Sequence, residues 1–372
     1  MLKTIQIVPS MAVESSGPQY YMVKMVASLE SLGVSVDLFT LERFGRAWTP
    51  IRNLGRSPAM YRALRENVAN VDVFHNNSLW MMPNIYPYWV AAGHSVKVVT
   101  SPHGTLSTWA LRHGRLKKMF FGALLQYPAL RRTDMFHATS EKEYEEIRAL
   151  GYRQPVAIVP VGMDIPEVDV FNAEAQRSRE AEVKRKRIVF FGRLHKVKGV
   201  DRLVRAWEQV MRDGWELVIA GPDCGMLEEL KGIVAERRLP RVSFVGEING
   251  HAKYEFLANA DIYVLPSDTE NFGVTVAEAL ASGTPVIASQ GTPWQGLERE
   301  KCGRWVPIGV EPLAMALKEL MAMSDEERAV MGNRGREWMR RDFSWRGIGL
   351  KMKTAYEWLL GNGDKPEWVR LD

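Results

Sequence analysis

Two kinds of segment alternate along the chain. Short runs rich in β-branched and aromatic residues predict buried strands, and stretches with apolar residues at helical spacing separate them. In the first half the predicted strands are residues 4–8, 34–40, 71–75, 96–100, 135–138 and 156–160, with a first helix at about 19–32. In the second half they are residues 188–191, 216–220, 242–245, 262–265 and 285–288. This alternation predicts two similar α/β domains, each wound on a parallel sheet.

A charged segment separates the two halves. Residues 164–187 are rich in charge and end in Lys-Arg-Lys-Arg, which is typical of a solvated helix or hinge at a domain boundary. We therefore predict a first domain at 1–165, a charged linker at 166–185 and a second domain at 186–345. The last segment, 346–372, begins with an aromatic and amphipathic helix that must cover an apolar surface. It either returns to the first domain or caps the second.

The composition is that of an ordinary globular protein. The 372 residues are 46% hydrophobic and 25% charged, which is enough for two domains. Cys224 and Cys302 form no disulfide framework and no metal-ligand spacing, which suits a reducing compartment. The amino end lacks the apolar core of a signal peptide, and Pro83 and Pro87 interrupt the uncharged residues 78–96 too often for a spanning helix. We therefore expect a cytoplasmic protein.

One basic stretch stands out against a modest net charge of +5. Residues 73–133 contain no Asp or Glu, whereas Arg112, Arg115, Lys117 and Lys118 lie close together within them. Such a stretch favours an anionic partner, which is a phosphate, a nucleic acid or an acidic membrane surface. Apolar residues accompany the cluster at helical spacing, at positions 116, 119, 120, 123, 124 and 127. This apolar stripe either lies on an anionic membrane or packs on the first domain's sheet.

The most informative stretch is residues 268–282, between two predicted strands of the second half. The loop Asp-Thr-Glu-Asn-Phe-Gly and the Ala-rich helix after it form part of a βαβ unit, in which ligands bind at the carboxyl end of the first strand. The N–H groups of Gly273 to Thr275 would face a phosphate at the helix amino end. Glu270 lies in the loop, and Glu278 lies inside the apolar helix. The Glu278 carboxylate therefore meets a protein partner or the hydroxyl groups of a ligand, unless it lies on the solvated side of the helix.

A basic loop follows the first predicted strand of the second half. Gly192 comes directly after residues 188–191, and Arg193, Lys196 and Lys198 follow it. Cations at the carboxyl end of a strand suit an anionic ligand, and they stabilise charge that grows on a departing phosphate oxygen. The loop is therefore a candidate diphosphate site.

Other candidate residues lie in loops after further predicted strands. In the second half these are Gly221, within Ala-Gly-Pro-Asp-Cys-Gly, and the pair Gly246–Glu247. In the first half, Gly17 lies in the loop after the first strand, and His103–Gly104 follows residues 96–100. Each loop alone is a limited signal, but in each half the loops follow strands whose carboxyl ends share an edge of that half's sheet.

The loop and helix at 267–288, Ser-Asp-Thr-Glu-Asn-Phe-Gly-Val-Thr-Val-Ala-Glu-Ala-Leu-Ala-Ser-Gly-Thr-Pro-Val-Ile-Ala, resemble the signature of the family 4 retaining glycosyltransferases. The loop Phe-Phe-Gly-Arg-Leu-His-Lys-Val-Lys-Gly and the His103–Gly104 pair are similar to further motifs of that family. The resemblance implies the GT-B fold, an α/β fold with two Rossmann-like doubly wound domains that face each other across a cleft. It also implies that the last helix crosses back to the first domain. Two departures concern first-domain contacts: Val161 stands where the family more usually has Asn, and the loop at Gly17 lacks a second glycine.

The resemblance also implies roles for individual residues. Arg193 and Lys198 would hold the donor diphosphate, Glu270 would face the transferred sugar, and Glu278 would hold the ribose hydroxyl groups. His103 would contact the transferred sugar or its phosphate, close to the reaction centre. On the acceptor side the resemblance places Gly104, Thr105 and Trp109. The resemblance also implies a set of residues that would line the donor nucleotide, namely Gly17, Gly192, Gly221, Glu247, Asn271, Phe272, Gly273 and Val274.

The reaction implied is transfer of a sugar from a UDP- or GDP-sugar to a hydroxyl group with retention of configuration. The acceptor would be a glycan or a lipid-linked molecule in bacterial surface polysaccharide synthesis, with peripheral contact to an anionic inner membrane surface and no nucleic acid partner. The chain has no Asp-x-Asp motif and no His/Cys cluster, so we expect no metal or other cofactor. A nucleotide-sugar epimerase and a non-catalytic nucleotide-sugar binding module are the alternatives.

Overall fold

A computed structural model describes residues 1–11, 17–47, 54–112, 115–166 and 185–371. For residues 17–20, 109, 112 and 115–117 it describes the backbone only. The chain divides into two compact units, of which unit 1 comprises Met1–Gly162 with Trp345–Asp372 and unit 2 comprises Met163–Ser344. The predicted linker at 166–185 lies outside the described residues except at its two ends.

The strands are short and mostly buried. In chain order they are β1 (Lys3–Ile7), β2 (Ser35–Phe39), β3 (Val73–Asn77), β4 (Lys97–Ser101), β5 (Met135–Ala138), β6 (Val156–Ile158), β7 (Lys186–Phe191), β8 (Trp215–Ala220), β9 (Val242–Gly246), β10 (Ile262–Leu265), β11 (Val286–Ser289), β12 (Gly303–Val306) and β13 (Val369–Arg370).

Helices connect the strands. In chain order those of the described residues are α1 (Gly17–Ser31), α2 (Leu41–Phe44), α3 (Pro58–Asn67), α4 (Tyr86–Ala91), α5 (Thr108–Arg112), α6 (Arg115–Phe121), α7 (Tyr127–Leu130), α8 (Glu141–Ala149), α9 (Val200–Val210), α10 (Leu227–Glu236), α11 (Ala252–Ala258), α12 (Val274–Ala281), α13 (Gly296–Arg299), α14 (Val310–Ala322), α15 (Asp325–Phe343) and α16 (Trp345–Leu359). Short 3-10 turns lie at Val68–Asn70, Met82–Asn84 and Lys196–Lys198, and a π-helical segment lies at Gly122–Gln126.

Unit 1 contains a seven-stranded sheet in the order β13-β6-β5-β4-β3-β1-β2. All neighbours are parallel except β13, which pairs antiparallel with β6. The order reverses between β1 and β3, so this is the topological switch point at which a doubly wound sheet binds ligands. The pattern of the sequence did not reveal β13, because a strand of two residues is too short to show a period.

Unit 2 contains a six-stranded parallel sheet in the order β12-β11-β10-β7-β8-β9. The order reverses between β7 and β10, which lie side by side, so the switch point of this sheet lies between their carboxyl ends. The interior of β10 is wholly buried, as the continuous apolar run of a parallel strand predicts. Two Rossmann-like parallel sheets confirm the predicted fold class.

The last helix, α16, belongs to unit 1 and packs against α1. The Ser28 hydroxyl donates to the carbonyl of Trp345 at 2.6 Å, and the Lys353 ammonium donates to the carbonyl of Leu32 at 3.0 Å. A Cβ atom at Gly349 would lie 2.1 Å from the Ser28 oxygen, so the two helices approach too closely for any other residue there. Of the two interpretations of this segment, the return to the first domain is therefore correct and the cap on the second is wrong.

The segment after His103 is less regular than its apolar spacing predicts. The π-helical segment Gly122–Gln126 shifts the helical register, so that Gly122 and Gln126 are buried. Met119, Phe120 and Leu124 are 51%, 66% and 74% exposed, so these three residues do not pack on the sheet. Of the two interpretations of the apolar stripe at 116–127, packing on the first domain's sheet is therefore wrong for these three residues. No helix within the described ranges is long and apolar enough to cross a membrane.

Candidate functional site

The switch point of unit 2 brings two predicted residues into direct contact. Lys198 lies in the loop after β7 and Glu270 in the loop after β10, and the Lys198 Nζ atom lies 2.6 Å from the Glu270 Oε1 atom. The side chains are only 14% and 12% exposed, so the pair is largely out of water. The Ser267 hydroxyl donates to the same carboxylate oxygen at 2.6 Å. The topology of the sheet thus joins two loops that lie far apart along the chain.

Backbone contacts hold these loops in place. The Asp268 N–H donates to the carbonyl of Val197 at 2.8 Å, and Arg202 donates to the carbonyl of Pro266 at 2.8 Å. The Glu270 N–H donates to the carbonyl of Gly291 at 3.0 Å. A Cβ atom at Gly291 would lie 2.3 Å from the carbonyl oxygen of Ser267, so only glycine allows this approach.

Three predicted glycines meet at the carboxyl ends of β7, β8 and β9. Gly221 has a φ of +140°, and a Cβ atom on it would lie 1.8 Å from the carbonyl oxygen of Gly192. The Gly221 N–H donates to the carbonyl of Gly246 at 2.6 Å. Backbone can therefore approach a ligand closely here, as in the glycine-rich turn of a nucleotide-binding domain. Glu247 follows Gly246 and is exposed.

The amino end of α12 also faces this edge of the sheet. Gly273 is the N-cap, with a left-handed φ of +80°, and the helix proper begins at Val274. The Trp294 indole donates to the carbonyl of Phe272 at 2.6 Å and so fixes the turn before the helix. Asn271, which precedes this turn, is half-buried. Because the first N–H groups of a helix have no acceptor within it, they attract a phosphate.

Glu278 lies one turn further along α12 and is only 4% exposed. The Lys253 Nζ atom lies 2.5 Å from its Oε1 atom. Burial raises the pKa of this carboxyl from its ordinary value, and Lys253 opposes that effect. The structure thus supplies the protein partner that a buried carboxylate requires. Lys253 lies on α11, and its position in the sequence gave no sign of this contact.

The structure therefore gathers most of the unit 2 candidates at one edge of one sheet. Lys198 and the amino end of α12 provide positive charge, Arg193 is exposed in the same loop as Lys198, and two carboxylates lie beside them. Such an arrangement can hold a diphosphate and also accept hydrogen bonds from hydroxyl groups. Within the described ranges, no cluster of three or more His, Cys, Asp or Glu side chains is arranged to hold a metal ion.

The His103 loop of unit 1 is held in a strained form. His103 has a φ of +51° and Gly104 a φ of +75°. The left-handed region costs a non-glycine residue about 1–2 kcal/mol, and such strain occurs mostly at functional sites. The Gly104 N–H donates to the Glu143 Oε1 atom at 2.6 Å, while the other carboxylate oxygen accepts from the Thr139 N–H at 2.8 Å. Glu143 is therefore occupied in fixing the loop.

His103 is part of a buried polar network. Its Nε2 atom lies 3.1 Å from the Oδ1 atom of Asn77, and the Tyr21 ring lies edge-on to it at 5.4 Å. Burial and the nearby His137 lower the pKa of His103 to about 3, so its ring is neutral at pH 7. The sequence did not reveal this network, because its members come from four different strands, the last helix and the His103 loop.

The remaining unit 1 candidates are placed only in part. The Thr105 hydroxyl donates to the carbonyl of Pro102 at 2.7 Å, which stabilises the turn after His103. Gly17 begins α1, as the first residue after a gap in the described chain. The side chains of Trp109, Arg112, Arg115 and Lys117 lie outside the description.

Comparison with known proteins gives two family matches. The model "Glycosyl transferases group 1" matches residues 172–338. The model "Glycosyl transferase 4-like domain" matches residues 16–162. The first match covers the unit 2 site, and the second covers the His103 loop.

Individual relatives agree with these matches. An uncharacterised glycosyltransferase of Methanocaldococcus jannaschii is 30% identical over 49% of this chain and 47% of its own length, so the match spans about half of that relative. A D-inositol 3-phosphate glycosyltransferase of Corynebacterium jeikeium is 24% identical over 95% of this chain and 94% of its own length.

Among solved structures, the Anabaena protein HepE in complex with UDP and glucose has a TM-score of 0.71 and 17% identity. That match covers 95% of this chain and 99% of the other, and at this identity it shows the fold. Each half of the chain thus matches a glycosyltransferase family model, and the fold is that of the GT-B glycosyltransferases.

Proposed function

We propose that the protein transfers a sugar from a nucleoside diphosphate sugar to a hydroxyl group, with retention of configuration. The observation that carries this proposal is the buried Lys198–Glu270 pair at the switch point of unit 2. A cation beside the amino end of α12 suits a diphosphate, and a carboxylate beside that cation suits a sugar hydroxyl. HepE, which shares the fold, was crystallised with UDP and glucose, so a UDP-sugar is our first candidate donor.

The proposed mechanism relies on side-chain cations and the helix terminus. Arg193 and Lys198 meet the charge that grows on the leaving diphosphate as the glycosidic bond breaks. The leaving phosphate oxygen then takes the proton of the attacking hydroxyl, on the same face of the sugar. The Glu143 carboxylate supports this route, because within the described residues it accepts hydrogen bonds from the Gly104 N–H and from the N–H and hydroxyl of Thr139 and so holds the His103 loop instead of standing as a base. Since Lys198, Arg193 and the α12 terminus supply positive charge, we propose that no metal ion is required.

We further propose that the protein acts at an anionic membrane surface, on a lipid-linked or surface-polysaccharide acceptor. Phe120 and Leu124 are 66% and 74% exposed within the stretch 73–133, which has no acidic residue. Exposed apolar side chains beside basic residues are typical of helices that lie on anionic bilayers. Lys118 contributes less to binding an anionic surface than its position predicts, because its ammonium group donates to the carbonyl of Ala110 at 2.5 Å and lies over the Trp80 ring.

The activity itself is tested by incubating the protein with a panel of UDP- and GDP-sugars, with and without hydroxyl acceptors. We expect release of a nucleoside diphosphate, and a product with the anomeric configuration of the donor. Thermal unfolding of the same mixtures identifies the preferred donor, because a ligand at a hundredfold excess over its Kd adds about 2.7 kcal/mol to the free energy of unfolding. An isomerised nucleotide sugar would support an epimerase instead, and binding without turnover would support a binding module.

The two carboxylates should have separable roles. Glu270→Gln should leave the affinity for free nucleoside diphosphate at or above that of the wild type, because Lys198 loses its competing partner. It should reduce kcat, because the lost charge interacts with the sugar in the transition state. Glu278→Gln should weaken free nucleotide and nucleotide sugar by similar factors, about tenfold for one charge-assisted hydrogen bond. Calorimetry and steady-state kinetics measure both effects.

Glu319→Gln is the matched control for these variants, because Glu319 also pairs with a cation of unit 2, Arg304, and lies outside the site. Thermal unfolding of each variant is required, since Glu278→Gln leaves Lys253 without its charged partner and breaking a buried pair costs about 3–5 kcal/mol. The division of roles is wrong if Glu270→Gln loses as much nucleotide affinity as Glu278→Gln.

Membrane contact is tested by sedimentation with vesicles that contain anionic lipid. The variant Phe120→Ser with Leu124→Ser should bind at least tenfold more weakly, because each large apolar side chain that enters the bilayer contributes about 1.5–3 kcal/mol. Replacing Arg115 and Lys117 with Gln should remove about 1 kcal/mol per charge. Met315→Ser is the control, because Met315 is 71% exposed and lies on α14 of unit 2. Equal sedimentation of all variants would contradict the membrane proposal.

A further inference from the structure

A continuous set of hydrogen bonds runs through the polar interior of unit 1 and includes a contact to His103. Its members are buried at the carboxyl ends of the strands and on α16, and they are Gln6, His75, Asn77, Ser101, His137 and Tyr356. The direction of each bond can be derived, because a backbone carbonyl at each end can only accept a hydrogen bond.

The first end is the carbonyl of Val159, to which the His137 Nε2 atom lies at 2.8 Å. His137 must therefore carry its proton on Nε2, so its Nδ1 atom accepts from the Ser101 hydroxyl at 2.6 Å. Ser101 has then used its proton, so its oxygen accepts from the His75 Nε2 atom at 2.6 Å. The unprotonated Nδ1 atom of His75 accepts in turn from the Tyr356 hydroxyl at 2.5 Å.

The second end is the carbonyl of His75, to which the Asn77 side-chain nitrogen donates at 3.1 Å. This contact favours one orientation of the Asn77 amide, and the Gln6 oxygen is the second acceptor that holds the amide in it. The same nitrogen donates to the Gln6 oxygen at 3.1 Å, and the Gln6 nitrogen donates to the Tyr356 oxygen at 3.1 Å. Both ends thus require the same hydrogen bonds at Tyr356, whose hydroxyl accepts from Gln6 and donates to His75. The Asn77 oxygen remains to accept from the Nε2 atom of His103 at 3.1 Å.

The three histidines fit this pattern only as neutral rings, and their surroundings keep them neutral. Burial lowers the pKa of His75 well below its ordinary value, and the neighbouring His137 and His103 add to that effect. Burial lowers the pKa of His137 to about 4 and that of His103 to about 3. At neutral pH each ring therefore has one donor nitrogen and one acceptor nitrogen.

We infer that Tyr356 and His75 are positioning residues for His103: their hydrogen bonds hold His103 as the tautomer with its proton on Nε2. In the described part of the chain the Nδ1 atom of His103 has no protein partner. This atom can accept a hydrogen bond from a ligand hydroxyl, but it cannot donate one to a phosphate oxygen. The His103 ring therefore takes a sugar hydroxyl group rather than a phosphate. The ligand part of this inference rests on the proposed function, whereas the tautomer does not.

The tautomer is read directly from long-range proton–nitrogen NMR spectra of the full chain with nitrogen-15 in its histidines, at pH 7. We expect His75, His103 and His137 each to show a protonated Nε2 atom and an unprotonated Nδ1 atom. A proton on Nδ1 of any of the three, or a charged ring, would overturn the inference. This result does not depend on catalytic activity.

The positioning role is tested with Tyr356→Phe, which removes one hydroxyl group of the set. The Gln6 amide then loses its acceptor and no longer holds Asn77 in one orientation, so the His103 nitrogen signals should move towards a mixture of tautomers. The control is Tyr88→Phe, because the Tyr88 hydroxyl is also buried and hydrogen-bonded, to Thr100, but lies outside the set. Unchanged His103 signals in the Tyr356 variant would refute the positioning role.

Recognition of a ligand hydroxyl group is tested by measuring ligand affinities of the same two variants by calorimetry. Tyr356→Phe should bind the preferred nucleotide sugar about fivefold more weakly, as expected for one neutral hydrogen bond, and should bind the free nucleoside diphosphate unchanged. Tyr88→Phe should alter neither affinity. An equal loss for both ligands in Tyr356→Phe would contradict hydroxyl recognition. If the wild type binds no nucleotide sugar, the proposed function fails while the tautomer assignment stands on its spectrum.

Discussion

The ion pair between Lys198 and Glu270 is the interaction on which the unit 2 site depends. Taking two charges out of water costs several kcal/mol for each ion, and this cost is offset only by close geometry and further hydrogen bonds. The 2.6 Å separation and the Ser267 hydroxyl meet that requirement. The pair exists because the parallel sheet sets β7 beside β10, so that two loops distant in sequence leave the same edge. A bound diphosphate can then replace the carboxylate as the partner of Lys198.

Unit 1 must also offset the cost of burying polar groups, and it does so with neutral side chains. Its sheet also buries polar side chains at the carboxyl ends of its strands, but these satisfy each other by hydrogen bonds in one direction rather than by opposite charges. Such networks are stable only when every member is satisfied, and they then fix a single arrangement. The two units therefore present different chemistry: unit 2 presents cations and carboxylates, and unit 1 presents an oriented, neutral histidine.

The sequence was sufficient to predict the strands of both sheets apart from β12 and β13, because runs of β-branched and other apolar residues mark most buried strands even when these are short. It also predicted which loops carry Glu270, Lys198 and the close-packed glycines. It could not predict that Lys198 touches Glu270, that Lys253 pairs with Glu278, or that Tyr356 reaches His75. Each of these contacts joins residues from separate elements, and one sequence contains no signal of their distance. The π-helical segment at 122–126 also escaped prediction, since it changes the helical period on which the reasoning depends.

The central claim is that Lys198 holds a diphosphate without a metal ion. It is tested most directly by calorimetry of UDP and GDP binding in the presence of EDTA. Glu270→Gln is compared with the double variant Lys198→Met with Glu270→Gln, so that neither leaves an unpaired carboxylate. We predict that Glu270→Gln binds nucleotide in EDTA and that the double variant binds about tenfold more weakly or worse, as expected for the loss of a hydrogen bond to a charged group. Equal affinities, or binding that appears only when Mg²⁺ is added, would contradict the account.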